Sequence, residues 1–518
     1  MSSLKIKILK IEIYVILFFI KKIITIIMFY KNKKFIDINL VVLFFFCLLL
    51  LILRLFNTIS FIEPLHVQTG GAEDTGIFAI WLIKNSFNSY SHYLKFELEI
   101  ENSHLFSAFH YNWLFYYLHA FLAKFSSDLL KLDDLWLPTQ IRINTLIFSI
   151  IVFFYLVKIY NLFINSYKNI VFAFYIIFGP LTGFWVMSVK PDITYLLFEV
   201  VGIFLIIKNL KDLNYFKILL ISILLIGAWS IKQNSFVTAF SFALYLIFEK
   251  KYKFFFFFFL NLTFFFIIII TLGPETLLEN LSWQKGSALR IDSVHFYNVF
   301  KDSFSKILII YASLFIFIIK ILYRKTNSLN LLKKDKKKYF LIIGSICSLS
   351  QILFSFHYGS AVNYYFIFSI YISIYLINYI NNSNNFFLNL SIIIQIILIL
   401  LILIGFKGRN SPVVYKNINE YINCVKNLKS PIYSSKEYYR LPWITLQKDN
   451  NPIMENMMSE NYYSNNLYKL RPISKLISDG KFASLIFFGK HKNLYDLKNY
   501  KFLKYCSNEK NISIYIKK

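Results

Sequence analysis

Two adjacent carboxylates, Glu73 and Asp74, are the residues of this 518-residue chain best suited to do chemistry. They follow the glycine pair Gly70-Gly71 in an acidic stretch: residues 56–140 contain nine Asp and Glu against four Lys and Arg, whereas the whole chain has a formal net charge of +28. A carboxylate beside a flexible turn can act as the general base that deprotonates a hydroxyl group. An acidic segment in a basic protein therefore predicts a functional site.

A second set of polar residues interrupts the apolar part of the chain. Lys190 and Asp192 flank a proline, Lys232 follows an apolar run, and His357 and Asn363 flank a Gly-Ser segment. Ionisable groups at membrane depth are costly and usually mark a site or pathway. Lysine provides a point charge for a phosphate, and Asn and His orient hydroxyl groups. The combination predicts sugar transfer from a polyprenyl phosphate, with a carboxylate taking the acceptor proton and cations holding the departing phosphate.

The composition shows that these residues belong to a membrane protein. Hydrophobic residues make up 57% of the chain. Apolar runs such as 36–56 and 387–405 are long enough to cross a bilayer. The sequence therefore predicts an all-α polytopic membrane protein. A nucleic-acid partner is not expected from the basic charge, because the lysines cluster in short loops between spans, where positive charge sets topology.

About eleven transmembrane helices are predicted. Basic loops around 208–217, 250–253 and 324–338 share the cytoplasmic side with the N-terminus if residues 107–125 do not cross. That aromatic-rich segment contains His110 and suits the membrane surface better than the hydrocarbon core. The predicted spans are 36–56, 141–159, 170–187, 192–207, 216–229, 235–249, 254–272, 303–323, 339–356, 362–379 and 387–405.

This topology divides the chain into three parts. Residues 1–35 are a cytoplasmic or interfacial segment, 36–405 form the membrane domain, and 406–518 form an extracytoplasmic domain. The membrane domain has two large outer loops, 57–140 and 273–302. Lys21-Lys22 interrupts the first apolar run, so that run lies on the membrane or translation starts at Met28. The candidate residues all fall on the outer side of the cell inner membrane.

The C-terminal region lacks apolar runs of membrane length. Segments 431–434 and 482–488 are typical of short buried strands, and 470–478 is typical of a helix that ends before a glycine. A small α/β domain is therefore expected. Cys424 and Cys506 both fall here, and they could pair if the domain faces an oxidising compartment.

The chain resembles the GT-C membrane glycosyltransferases, most closely the dolichyl-phosphate-mannose mannosyltransferase-like (PMT/ArnT-like, glycosyltransferase family 39) group. The order of motifs carries the resemblance: an acidic first outer loop, an aromatic interfacial helix, a span opening with Arg142, a Lys-Pro-Asp turn, a Gly…Lys-Gln segment and a Gly-Ser-x-x-Asn-Tyr segment. It implies a GT-C-type arrangement of helices over residues 36–405. It also implies hexosyl or pentosyl transfer, with inversion, from a polyprenyl-phosphate sugar to a lipid, glycan or protein acceptor.

The resemblance also implies roles for single residues. The family's catalytic aspartate matches Asp74, and Glu73 matches less well because relatives with a pair usually have Asp before Glu. Asp192 matches the second aspartate, near the sugar. No cofactor is implied with certainty; a divalent metal beside Asp74 is compatible with the chemistry, but no ligand spacing indicates one. The remaining donor-binding candidates are Lys190, Lys232, His110, Arg142, His357 and Asn363.

Each candidate also has a structural interpretation. Asp192 after a proline is an ordinary helix start, and Lys190 can snorkel to the membrane surface. Lys232 and Arg142 can be anchors, and Asn363 can cap a helix. Two other functions remain open: a lipid-linked saccharide flippase or transporter, which should show internal repeats, and an O-antigen ligase or polymerase, which should have its large outer loop late in the chain.

Overall fold

A computed structural model of the chain describes residues 38–56, 58, 73–85, 112–132, 134–272, 292–323, 335–356, 361–382, 386–405, 423–425, 427–429, 431–434, 472–488, 495–506 and 512–518. Helices dominate these residues, and their bounds follow the apolar runs of the sequence. Because a helix satisfies all its backbone polar groups internally, it is the form that such runs take in lipid.

The first half of the membrane domain provides the helices that surround the candidate site. Those described are α1 (Ile38–Phe56), α2 (Asp74–Lys84), α3 (Trp113–Leu130), α4 (Leu137–Asn161), α5 (Lys168–Phe178), α6 (Pro191–Asn209), α7 (Tyr215–Ile231), α8 (Val237–Phe248) and α9 (Tyr252–Leu272). Short 3₁₀ helices at Asp134–Trp136 and Gly183–Met187 precede α4 and α6. The bounds of α4, α6 and α9 lie within a few residues of the predicted spans.

The second half continues with further helices and ends in a small domain. Its described helices are α10 (Ser293–Lys306), α11 (Leu308–Tyr323), α12 (Lys336–Leu353), α13 (Phe366–Asn382), α14 (Phe386–Ile404) and α15 (Pro472–Ser478). 3₁₀ helices at Phe354–Phe356 and Val362–Tyr365 lie between α12 and α13. The predicted span 303–323 is thus interrupted at Ile307, where α10 ends and α11 follows.

Four helices of the described ranges are long and apolar enough to cross a membrane, judged by length and composition alone. They are Ile38–Phe56, Leu137–Asn161, Tyr252–Thr271 and Lys336–Phe356. Shorter apolar helices accompany them: Lys168–Phe178, Tyr215–Ile231, Val237–Phe248, Val362–Ile377 and Leu388–Ile404. A largely helical membrane protein is therefore confirmed, and the number of eleven spans stays a prediction.

The predicted span 170–187 differs most from the structure. Helix α5 ends at Phe178, because Pro180 disfavours helical backbone at the preceding residue, and Gly179 is extended. At about 1.5 Å per residue, this 11-residue helix is roughly half as long as the hydrocarbon core is thick. The chain then turns through Gly183, which has φ +54°, into the segment that leads to α6.

Helix α6 lies at the centre of the helices around the site and packs against α4 and α7. Two glycines allow α6 and α7 to approach closely. A Cβ at Gly202 would lie 2.9 Å from Leu225, and a Cβ at Gly227 would lie 2.9 Å from Phe198. Small residues at such crossings let membrane helices pack by close contact. The approach brings the ends of α6 and α7 together.

Helix α3 has two distinct faces. Tyr117, Phe121 and Phe125 follow one another at four-residue spacing and are exposed on one face. Phe115 and His119 are buried on the other, which packs toward α2, α4 and α7. An exposed aromatic stripe is typical of a helix at the membrane interface, where the sequence predicts this segment.

The C-terminal region forms a four-stranded sheet with strand order β1-β2-β4-β3. β1 and β2 pair in parallel, and β4 pairs antiparallel with β2 and β3. The expected strands and α15 are confirmed, whereas β3 and β4 were not predicted. Gly480, with φ +68°, ends α15 as a glycine cap does. The strands are β1 (Ile432–Ser434), β2 (Ser484–Phe488), β3 (Tyr500–Tyr505) and β4 (Ile512–Lys517).

A disulfide links Cys424 to Cys506, with 5.6 Å between the two Cα atoms. It joins the segment before β1 to the end of β3 and closes a loop of 82 residues. The pairing that the sequence left open is thus confirmed. Cys47 and Cys347 are free and buried in membrane helices, as their apolar surroundings predict.

Candidate functional site

Glu73 forms a fully enclosed ion pair with Arg142. The Arg142 Nη2 atom lies 2.6 Å from Glu73 Oε2, and both side chains have 0% exposure. The other carboxylate oxygen, Oε1, accepts a hydrogen bond of 2.7 Å from the backbone N–H of Val189. Arg142 Nη1 donates to the carbonyl of Thr58 at 3.1 Å. Both oxygens of Glu73 are therefore engaged by protein donors.

This pair fixes three parts of the membrane domain at one point. Glu73 is the N-cap residue of α2, and its carbonyl accepts from the N–H of Ile77 at 2.9 Å. Arg142 belongs to the second turn of α4, and Val189 belongs to the segment before α6. Removing one member of a buried ion pair leaves the other charge uncompensated and strongly destabilises a protein. The Glu73–Arg142 pair is thus built as a structural anchor.

Asp74 is the first residue of α2, directly after the anchored Glu73. Its side chain lies outside the described part of the structure. The far end of α2 is also fixed, because Trp81 donates from Nε1 to Asp134 Oδ2 at 2.8 Å and Lys84 forms an ion pair with the same carboxylate. The backbone that carries Asp74 is thereby held at both ends of its helix.

Asp192, Lys232 and Asn363 meet in a second buried group, named here the polar cluster. Lys232 Nζ lies 2.6 Å from Asp192 Oδ1, and Asn363 Nδ2 donates to the same oxygen at 2.7 Å. Asp192 is 1% exposed and Lys232 is 5% exposed. Three of the predicted donor-binding residues are therefore in contact.

Three separate elements supply the polar cluster. Asp192 lies in the first turn of α6, which begins at Pro191. Lys232 is the C-cap residue of α7, and Asn363 lies in the 3₁₀ helix before α13. A carboxylate at a helix N-terminus and a cation at a helix C-terminus both complement the helix dipole. Helix ends therefore favour this placement of charge.

Aromatic rings surround the lysine of the polar cluster. Lys232 Nζ lies 5.2 Å from the centroid of the Tyr195 ring and 5.3 Å from that of Tyr364. Rings at such distances stabilise a cation through their quadrupoles. An ammonium has three N–H donors. In the described part of the structure, Asn363 Oδ1 is buried and accepts no hydrogen bond. The cluster thus retains hydrogen-bonding capacity for a ligand.

The segment before α6 connects the anchor to the polar cluster. Val189 binds Glu73, and Asp192 follows three residues later. Hydroxyl groups of α4 satisfy the carbonyls of this irregular stretch: Thr145 donates to Ser188 at 3.0 Å and Ser149 to Val186 at 2.8 Å. Irregular backbone at membrane depth needs such partners. Lys190, also in this segment, is buried and is the N-cap residue of α6.

Helix α3 is hydrogen-bonded to both helices that carry the polar cluster. Asn112 donates from Nδ2 to the carbonyl of Trp229 at 2.6 Å, three residues before Lys232. His119 Nε2 and Thr194 Oγ1 are hydrogen-bonded at 3.1 Å. Burial lowers the pKa of His119 to about 3, so its ring is neutral near pH 7. His119 was not among the candidates from the sequence, although its place on the buried face of α3 follows from helical periodicity.

Several predicted residues are not brought together. His110 and His357 lie outside the described residues, so their roles stay predictions. Arg142 belongs to the anchor, where its described partners are Glu73 and the carbonyl of Thr58. Among the residues that the structure describes, no group of three or more His, Cys, Asp or Glu side chains could hold a metal ion. A divalent metal near Asp74 also stays a prediction.

Two solved structures share this fold. One is ArnT from Cupriavidus metallidurans bound to undecaprenyl phosphate, with a TM-score of 0.55 and 8% identity; the match covers 91% of this chain and 97% of that chain. The other is ArnT from the same organism in the apo state, with a TM-score of 0.56, 9% identity and the same coverage. No family model and no curated protein sequence matches the chain. At this identity the likeness shows the fold alone, which is the fold of these ArnT structures, as the sequence predicts.

Proposed function

We propose that this chain, which has the fold of ArnT, transfers a sugar from a polyprenyl-phosphate donor to a lipid, glycan or protein acceptor. The observation that carries the proposal is the polar cluster: Asp192, Lys232 and Asn363 converge from three elements on one buried point of that fold. Burying two charges and an amide together is costly unless they are paired or used. A donor with both charged and hydroxyl groups would use them.

Asp74 is the proposed general base. It lies next to Glu73, whose two oxygens already accept hydrogen bonds from Arg142 and Val189. A carboxylate fully occupied by protein donors is poorly placed to take a proton from a substrate, because it must first lose those partners. The division of labour we infer is that Glu73 holds the start of α2 while Asp74 deprotonates the acceptor hydroxyl.

The polar cluster is the proposed contact with the donor where the sugar joins the phosphate. Lys232 can donate to a phosphate oxygen, while Asp192 and Asn363 can bind sugar hydroxyl groups. Because Lys232 and Asp192 lie within 2.6 Å, a donor that meets both must present phosphate and hydroxyl close together. A glycosyl phosphate does so. Charge that develops on the departing phosphate would be stabilised by the lysine.

The remaining residues have proposed roles that follow from their positions. Arg142 acts through the anchor rather than on the donor, because it already pairs with Glu73 and the Thr58 carbonyl. Lys190, two residues before Asp192 along the chain, is a further candidate for the phosphate. His110 and His357 stay candidates from the sequence alone.

The reaction is proposed to occur on the outer face of the cell inner membrane. The disulfide between Cys424 and Cys506 supports an oxidising environment for the C-terminal region. The distribution of basic loops supports the same orientation. The donor would then be the hexosyl or pentosyl polyprenyl phosphate presented in the outer leaflet.

The proposal is tested by supplying donors to membranes that contain the chain. Radiolabelled polyprenyl-phosphate hexoses and pentoses are added, and label is followed into lipid, glycan and protein fractions. Transfer should depend on the chain and should be lost in Asp74→Asn at equal protein amount. Label that stays on the donor with every sugar, in membranes that contain the source organism's own glycans, would reject the glycosyltransferase.

A further inference from the structure

Glu199 is a buried carboxylate that the proposed reaction does not use. It lies in α6, seven residues after Asp192, and is 1% exposed. No described basic side chain forms an ion pair with it. An unpaired carboxylate in the apolar run Leu-Leu-Phe-Glu-Val-Val is costly to bury. A carboxylate buried in this way needs hydrogen-bonding partners, and those partners indicate its role.

The carboxylate of Glu199 holds the turn that carries Lys232. The hydroxyl group of Ser235 donates to Glu199 Oε1 at 2.7 Å, and both residues are buried. The backbone N–H of Ser235 in turn donates to the carbonyl of Lys232 at 3.0 Å. One residue therefore joins Glu199 to the backbone of Lys232.

The same turn has a second restraint from another helix. Gln351, in α12, donates from Nε2 to the carbonyl of Asn234 at 3.2 Å. Helix α7 ends at Ile231 and α8 begins at Val237. The intervening residues are thus outside both helices, and side chains from α6 and α12 bind them. A turn held in this way has a fixed backbone.

Helix α6 presents its three relevant residues on one face. Asp192, Tyr195 and Glu199 have i, i+3 and i+7 spacing, which places them on the same side of a helix. Asp192 binds the Lys232 ammonium, Tyr195 lies beneath it, and Glu199 holds the turn. At about 1.5 Å per residue, Asp192 and Glu199 are roughly 10 Å apart along the axis. Helix α6 therefore contacts the ammonium group of Lys232 directly and restrains its backbone through Ser235.

We propose that Glu199 is a positioning residue for Lys232. Through Ser235 it sets the turn 232–235 so that the Lys232 ammonium meets Asp192 Oδ1 and remains available to the donor. The inference deepens the proposed function, on which its activity readout rests. An ordinary packing contact would be equally buried but would have no link to donor use.

Substitutions on both sides of the bond test this role through sugar transfer. Ser235→Ala removes the hydroxyl donor and should lower kcat/KM for the donor on the order of 10-fold. Glu199→Leu should do the same, whereas Glu199→Gln keeps an oxygen that accepts the Ser235 hydroxyl and should restore most activity. Ser222→Ala is the matched control, because the described hydrogen bond of this buried serine of α7 is to the Ile218 carbonyl of its own helix; it should not change transfer.

The double variant separates positioning from plain structural support. If Ser235 acts through Lys232, Ser235→Ala combined with Lys232→Met should be no less active than Lys232→Met alone. If the two substitutions lower kcat/KM by independent factors that multiply in the double variant, the proposal is overturned. A Glu199→Gln protein as impaired as Glu199→Leu at equal amounts of folded protein would overturn it too.

Hydrogen–deuterium exchange gives a readout that needs no activity. In lipid nanodiscs, Ser235→Ala should speed amide exchange at residues 232–236 relative to the parent, while Ser222→Ala should not. Unchanged exchange there would reject the positioning role even if sugar transfer is observed. Faster exchange in a chain that transfers no sugar would reject the proposed function and leave the link between Glu199 and the turn intact.

Discussion

In the described part of the membrane domain, two buried ion pairs have the same 2.6 Å separation and different construction. The Glu73–Arg142 pair is fully enclosed, and it has two further hydrogen bonds to the backbone, one to the carbonyl of Thr58 and one from the N–H of Val189. The Asp192–Lys232 pair retains a little exposure, and its lysine faces aromatic rings. Arginine offers a rigid fork that suits a permanent pair, whereas lysine offers rotatable donors that can exchange partners. Distance alone therefore does not separate an anchor from a site.

The largest expected effect comes from Asp74, the proposed general base next to the Glu73–Arg142 pair. Asp74→Asn should reduce sugar transfer by about 10²- to 10⁴-fold, because an amide cannot take the acceptor proton. Thermal stability in detergent should change little, since the Glu73 carboxylate, which binds Arg142 and the N–H of Val189, holds the start of α2. The measurement is transfer from a radiolabelled polyprenyl-phosphate sugar at equal protein amount. Parental transfer by Asp74→Asn with none by Glu73→Gln would move the base to Glu73.

Breaking the Glu73–Arg142 pair should lower the stability of the protein more than the sugar transfer per folded molecule. Arg142→Met leaves the Glu73 carboxylate buried and uncompensated, which typically costs about 3–5 kcal/mol. We expect a sharp fall in folded protein recovered in detergent and in its melting temperature. The double variant Glu73→Gln with Arg142→Met should recover part of the loss, because no lone charge remains. A stable Arg142→Met protein that fails only in transfer would make Arg142 a donor contact after all.

Breaking the site pair should lower donor use in addition to stability, because Lys232→Met removes a proposed donor contact and also leaves the buried Asp192 without its cation. Lys232→Met should lower kcat/KM for the donor on the order of 10- to 100-fold, as expected for a lost hydrogen bond to a charged group. Lys217→Met is a matched control at the other end of α7, where the lysine pairs with the exposed Asp212. Exposed pairs contribute little, so the control should keep full activity. Full activity in Lys232→Met as well would reduce this lysine to an interfacial anchor.

The smallest expected effect concerns the amide of the polar cluster. Asn363→Ala removes one neutral donor to Asp192 and should lower kcat/KM about 3- to 10-fold, in line with roughly 1 kcal/mol for a single hydrogen bond. Asn363→Asp should do more damage, because it places a second carboxylate against Asp192. Initial rates over a range of donor concentrations distinguish these outcomes. Parental kcat/KM for the donor in both variants would show that Asn363 is remote from the donor.

The helices could be predicted from the sequence because a bilayer imposes a simple requirement. Runs such as 36–56 and 254–272 are apolar over the length that the hydrocarbon core demands, and the structure contains α1 and α9 there. The prediction from apolar length is wrong where a proline interrupts the run: α5 ends at Phe178, whereas the predicted span continues to residue 187. In the C-terminal region, β3 (Tyr-Lys-Phe-Leu-Lys-Tyr) alternates polar and apolar residues too weakly for pattern alone to reveal it, whereas β4 (Ile-Ser-Ile-Tyr-Ile-Lys) has the alternation of a strand and was missed.

The sequence by itself determined the fold class, the approximate bounds of helices such as α1 and α9, and the residue types available for chemistry. Only the tertiary structure decided which of them act together. Asp192 meets Lys232 across 40 positions and Asn363 across 171, while Glu73 meets Arg142 across 69. Hydrophobic periodicity records which face of a helix avoids water or lipid, but it does not record which helix lies opposite. Pairing of buried charges depends on that choice, so adjacent Glu73 and Asp74 can have different roles.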